Sequence, residues 1–264
     1  MLMVYNELKS VLKYLGICIV ANIKNAFSNK KSAIIQMLFM FLNNFMWLAF
    51  WFILFYNTED GNINGTTLND ILYLWSIPSI SFGLCLFLFG GVEELSYKIA
   101  NKDLDMLLTK PKHSLISLIT ASSKMSALGD LLYGLFIGIF AVDFNILKYL
   151  ESIGIAVIAA IILLGIFIIV HSLSFFFGDM SKTARIYTIT LLLTFTIYPE
   201  NMFTGVLKVL MYTLIPAMYI AHIPIAIIKE FSLFSLLLEL AVAGIIVALA
   251  LFTYEKGLKR YSKS

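Results

Sequence analysis

Charge is scarce in this sequence. Of its 264 residues only 13% are Asp, Glu, Lys or Arg, while 60% are hydrophobic and the mean hydropathy is +0.91. A soluble domain holds an apolar share of about 45–50% and covers itself with charge, so a water-soluble globule is excluded. Cysteine is scarce as well: Cys18 and Cys85 stand in apolar surroundings with no CxxC or metal-ligand spacing, and read as buried free thiols. No GxxxxGK[ST] phosphate loop occurs; Gly90-Gly91 leads into Val92 and Glu93 rather than Lys, so ATP hydrolysis is not expected in this chain. His113, His171 and His222 have no metal-ligand spacing, and no Ser or Cys has a nucleophile setting, so neither catalytic residues nor a metal site are expected. The net charge of +3 is dispersed along the chain and speaks against a nucleic-acid partner.

What the chain has in abundance is continuous apolar sequence. Several runs reach the roughly 18 residues needed to cross a bilayer as a helix, and none alternates as a barrel strand would. The expected fold is an all-α polytopic membrane protein forming one domain over residues 1–264, with six spans at 33–56, 70–92, 121–142, 153–177, 184–199 and 235–253. Before the first span, Val4, Leu8, Leu12, Leu15, Ile19 and Ile23 recur every three or four residues with lysines on other faces. That pattern predicts an amphipathic interfacial helix within residues 1–31, and its lysines exclude the clean apolar core of a signal peptide.

The basic residues orient the chain. Sixteen of the 19 Lys and Arg fall in the N-terminal segment, the 91–124 loop, the gap holding Lys182 and Arg185, or the C-terminal tail. The opposite side has only Lys148, Lys208 and Lys229. Both termini and the loop are therefore expected in the cytoplasm. Residues 198–231 are apolar but contain Pro199, Pro216 and Pro224, and a complete seventh span would carry the basic tail outside. Short helices re-entering from the outer face satisfy both constraints.

Polar groups inside the spans invite two readings each. Asp130 shares a helix face with Ser126, Gly134 and Gly138, the glycines forming a GxxxG pair suited to close helix approach. It is either a pathway group or a packing residue capped by a neighbour. Asn43 and Asn44 in the first span, and Ser76, Ser79 and Ser81 around Pro78 in the second, are placed to line a path or to bond between helices. Glu239 is expected in the outer turns of the last span, where it can snorkel. His171 reads as a satisfied core residue, and Trp47, Phe50, Trp51, Phe52 and Tyr56 as an outer interfacial belt.

The most informative stretch is the polar interruption from Gly91 to His113, GVEELSYKIANKDLDMLLTKPKH, set between apolar runs. Its sequence ELSYKIANKDLDMLLTKPKHSL (94–115), together with ALGDLLYGLFIG (127–138) and TFTIYPENMFTGVLKVLMYTLIPAMYIAHIPIAII (194–228), resembles the permease subunits of type-2 ABC transporters, in particular the bacterial branch of ABC-2 family permeases. A departure is Thr109-Lys110-Pro111, where that branch usually has Arg before the proline; Lys keeps the charge and loses the planar fork. The resemblance implies a multi-pass exporter subunit of the bacterial plasma membrane, paired as a homo- or heterodimer and docked on a separate cytosolic ATPase that binds ATP and Mg. It implies no cofactor in this chain. It also implies that residues 91–120 hold a cytosolic coupling helix, with Glu93, Glu94, Lys98, Lys102, Asp103, Leu104 and Leu107 as coupling residues. Leu95, Ile99 and Leu108 would help to seat it. Asn43, Asn44, Ser79, Asp130 and Glu239 are the candidates for the translocation path.

A competing reading is an ion- or proton-coupled secondary transporter using Asp130, Glu239 and His171, although no internal repeat relates 33–142 to 153–253. A membrane enzyme lacks a polar cluster at one interface. The cargo is not legible in these residues.

Overall fold

The computed structural model describes residues 2–58, 61–104 and 114–262. Helix α1 (Leu2–Ala26) leads through a 3-10 turn into α2 (Lys30–Tyr56), whose first turn is capped by the Asn29 side chain accepting from Ser32 N. A small hairpin, β1 (Asn62–Ile63) and β2 (Thr66–Thr67), then enters α3 (Leu68–Phe89). Its turn residues Asn64 and Gly65 both have positive φ, the requirement of a two-residue hairpin loop that Asn-Gly meets. Thr67 and Asp70 form a reciprocal capping box at the start of α3.

After α3 the chain makes a 3-10 turn (Gly90–Glu94) and a short helix, α4 (Leu95–Ala100), and returns in α5 (Ser114–Ile119). Helices α6 (Met125–Ala141) and α7 (Ile146–Ser172) follow, then the short α8 (Ser174–Phe177). The segment α9 (Ser181–Arg185) runs through a π-helical turn (Ile186–Leu191) into α10 (Leu192–Ile197). Beyond it lie α11 (Val206–Tyr212), α12 (His222–Lys229) and the long terminal α13 (Leu233–Tyr261).

Among the described residues, four helical stretches are long and apolar enough to cross a membrane: Lys9–Tyr56, Leu68–Ala100, Ile146–Phe177 and Leu233–Tyr261. The pair Val206–Tyr212 and Ala217–Lys229, bent by 58°, makes a fifth if it counts as one span, and Met125–Ala141 is a shorter apolar helix. The protein is thus an all-α polytopic membrane protein.

Two buried apolar clusters hold the bundle together. One runs from the 90–124 excursion, here the loop end, through α3, α6, α7 and α13 to Leu192 of α10, Met211 of α11 and residues 217–220; the other joins α2, α3, α6, α7 and α12 toward the hairpin end. The α3–α6 seam is tight because of the GxxxG face: a Cβ on Gly134 would come within 2.8 Å of both Ile80 N and Ser76 O. Ser76 donates to the Gly134 carbonyl across the same seam at 2.9 Å.

Three expectations need correction. Trp51 is not at a lipid-facing belt; it is 3% exposed, packed with Phe55 and Tyr198. Pro224 does not break the outer region, because it occupies the first turn of α12, where its missing N–H has no intrahelical partner to lose. Pro199 and Pro216 do stand at breaks, each preceding a new 3-10 turn, and Tyr198 is extended as a pre-proline residue should be. Glu239 does not snorkel: it is fully buried, and neither carboxylate oxygen has a hydrogen-bond partner among the described residues.

Candidate functional site

A cavity of about 300 Å³ opens between α2, α3, α6 and the α9–α10 segment. It collects Asn43 and Asn44 from α2, Ser79 from α3 and Asp130 from α6, residues far apart in sequence. Asn44 is 5% exposed and donates through Nδ2 to Asp130 Oδ1 at 2.6 Å, so capping by a neighbour and exposure to a cavity coexist at Asp130. The serines of α3 divide their work. Ser79 faces the cavity, whereas Ser76 bonds to α6 and Ser81 donates to the carbonyls of Ile77 and Ala156. Glu239 does not line this cavity; it lies on α13, near Tyr219.

The cavity also has walls that sequence reasoning missed: Trp47, Leu74, Trp75, Lys124, Arg185, Ile189 and Leu193. Only α9–α10 could bring the last three, and the signal was present as a lone Arg ahead of Ile186–Thr190, four of whose five residues are β-branched and which lies within the π-helical turn. Such turns recur at functional sites because they rotate one side of a helix relative to the other.

At the loop end the excursion is clasped where it leaves and returns. Lys124 Nζ lies 2.9 Å from Glu93 Oε2, and Lys124 N donates to the Leu86 carbonyl. Gly91 packs so closely on α5 that a Cβ there would overlap the Leu118 carbonyl oxygen. Helix α1 holds α5 from the other side, through Tyr14–Ser117 hydroxyl contact at 2.9 Å and Asn22 Nδ2 donating to Thr120 O at 2.5 Å.

The apolar side of α4 faces inward: Leu95, Ile99 and Leu104 are all at most 5% exposed in the core cluster. Its polar side carries Glu94 and Lys98, paired at 2.9 Å one helical turn apart, while Lys102 and Asp103 are exposed. Asp103 N donates to Lys98 O and Lys102 N to Ile99 O, with Lys102 at φ +62°, so the helix ends in a Schellman motif with Lys where Gly is usual. Leu107 and Leu108, with Asp105 and Lys110 to His113, lie outside the described residues.

Residues 38–264 match the family described as ABC-2 family transporter protein. The chain belongs to that family. Comparison with curated proteins gives no match. As an ABC-2 permease it is a membrane component of an ABC transporter, a transport element rather than a catalyst, and the family implies an ATP-binding partner. The cavity and the clasped excursion of this permease meet at Glu93 and Lys124, which line the first and close the second.

Proposed function

We propose that this ABC-2 permease is the membrane-spanning subunit of an exporter, forming its translocation path with a second permease copy or paralogue and driven by a separate cytosolic ATPase. In this reading α6 and the α9–α10 segment cross the membrane along with α2, α3, α7 and α13, giving six spans. The bent α11–α12 region re-enters from the outside, and the loop end with both termini is cytosolic. The distribution of Lys and Arg supports that orientation.

The observation that carries the reading is the cavity. Three spans supply its polar residues, and its mouth adjoins the clasp of the excursion, so a push on α4 from the cytosol has a short mechanical route to the cavity wall. The polar side of α4, with Glu94, Lys98, Lys102 and Asp103, is the surface offered to the ATPase, and Leu95, Ile99 and Leu104 transmit the load.

The test is reconstitution with the cytosolic ATPase that co-purifies with the permease. The double variant Lys102→Glu, Asp103→Lys is expected to insert normally and lose ATPase stimulation. Normal stimulation and transport in that variant would remove the excursion from the mechanism.

A further inference from the structure

The acids lining the cavity, Glu93 and Asp130, equal its bases, Lys124 and Arg185, in number, yet among the described residues only Glu93 and Lys124 pair. At its mouth Glu93 and Lys124 neutralise each other, and Arg185 is exposed, where water and salt screen it. Deeper in, the Asp130 carboxylate has the Asn44 amide as its hydrogen-bond partner and no cation within ion-pair distance among the described residues. A carboxylate in a membrane-embedded cavity repels anions strongly and leaves a neutral guest with its charge uncompensated.

The wall also carries aromatic rings. Trp47 and Trp75 both line the cavity, their rings stacked at 6.4 Å and 17°, and indole faces are the best side-chain partners for organic cations. Trp75 is 4% exposed and contributes ring surface only, its Nε1–H being closed off from the cavity. Asn43 and Ser79 add uncharged polar groups, and Leu74, Phe82, Leu86 and Ile189 give the remainder an apolar surface.

We propose that the cavity takes an amphiphilic organic cation, its positive centre at Asp130 and its apolar body against the indoles. This substrate class rests on reading the cavity as the translocation path.

The experiment uses the full chain in phosphatidylcholine nanodiscs, with empty discs subtracted, and two hydrophobic ions of the same shape and opposite sign. Tetraphenylphosphonium is expected to bind saturably at one site per chain, and tetraphenylborate to show no saturable site. Asp130→Asn preserves the shape of the side chain and a hydrogen bond with Asn44, and is expected to weaken the cation at least about tenfold. Trp47→Leu, at a half-exposed position that tolerates change, is expected to weaken it severalfold. Saturable binding of the borate with equal affinity, unchanged affinity in Asp130→Asn, or no saturable phosphonium site would each overturn the proposal. Ser79→Cys separates the two readings. If an impermeant maleimide labels it while phosphonium shows no site, the path stands and the cation preference falls. If no reagent reaches it from either side, the path reading falls and takes the proposal with it.

Discussion

Ser96 Oγ lies 3.0 Å from Nδ1 of His171 and donates to the His171 backbone carbonyl at 3.1 Å, so one fully buried hydroxyl ties α4 to the end of α7. A hydroxyl has a single hydrogen. With that hydrogen on the carbonyl, Nδ1 of the imidazole donates to Ser96, and Nε2 is the bare acceptor. Nε2 has no partner among the described residues, and an unpaired acceptor there is the less costly orphan. His171 is therefore a satisfied core residue on one side only, and its satisfied side faces α4.

Ser96→Ala is accordingly expected to leave Nδ1 without its partner, at a cost of about 1–3 kcal/mol, and to loosen α4 from α7. The expected phenotype is normal abundance in the membrane with ATP-driven transport reduced severalfold. Transport per unit of ATP hydrolysed is the decisive measurement. An unchanged ratio would make the bond purely structural.

The Glu93–Lys124 clasp makes a second prediction. Both side chains are partly exposed, at 15% and 38%, so the pair contributes only about 0–1 kcal/mol to stability. Its use is geometric, because it sets where the excursion leaves and rejoins the bundle beside the cavity mouth. Glu93→Lys alone is expected to impair ATPase stimulation with little change in melting temperature. Glu93→Lys combined with Lys124→Glu is expected to restore most of it. A double variant no better than the single one would assign Glu93 a direct contact with another partner.

Lys102 separates backbone from side-chain roles. Its φ of +62° costs a non-glycine residue about 1–2 kcal/mol, so Lys102→Gly relaxes the helix end while removing the charge. The variant is expected to be slightly more stable and to stimulate the ATPase less, whereas Lys102→Arg keeps stimulation. Equal stimulation in Lys102→Gly would reduce the residue to a helix stop.

Much of this architecture was legible in residues that act locally. Lysine placement, the GxxxG face of α6, and the apolar spacing of Leu95, Ile99 and Leu104 depend on neighbours within a turn or two. The Asn64-Gly65 turn was equally legible, but it went unread because two-residue strands leave no alternation to notice. The cavity was legible only in pieces. Asn44 and Asp130 stand 86 positions apart, and nothing local to either specifies that α2 and α6 meet there. Trp51 misled for the same reason: an aromatic near a span end suits an interface until packing with Tyr198 buries it. Glu239 has no local signal that distinguishes a buried carboxylate from a snorkelling one.

Leu74 supplies the last prediction. It lines both the inner cavity and a second pocket of about 270 Å³ at the hairpin end, where Asp70 is paired with Lys229 and Glu200 with Lys208. Leu74 is 3% exposed, so its side chain fills the partition between the two spaces. Its carbonyl also lacks the usual helical donor, because residue 78, four positions on, is proline. The partition thus sits where α3 is easiest to bend. Leu74→Ala is expected to join the two pockets and to expose Ser79→Cys to an impermeant thiol reagent added at the hairpin end, raising its labelling rate by about an order of magnitude. Leu74→Met, which keeps the volume, is expected to leave labelling at the background rate. Equal labelling in the Ala and Met variants would show that the barrier lies elsewhere, with the ion pairs of the outer pocket next to be tested by Asp70→Asn.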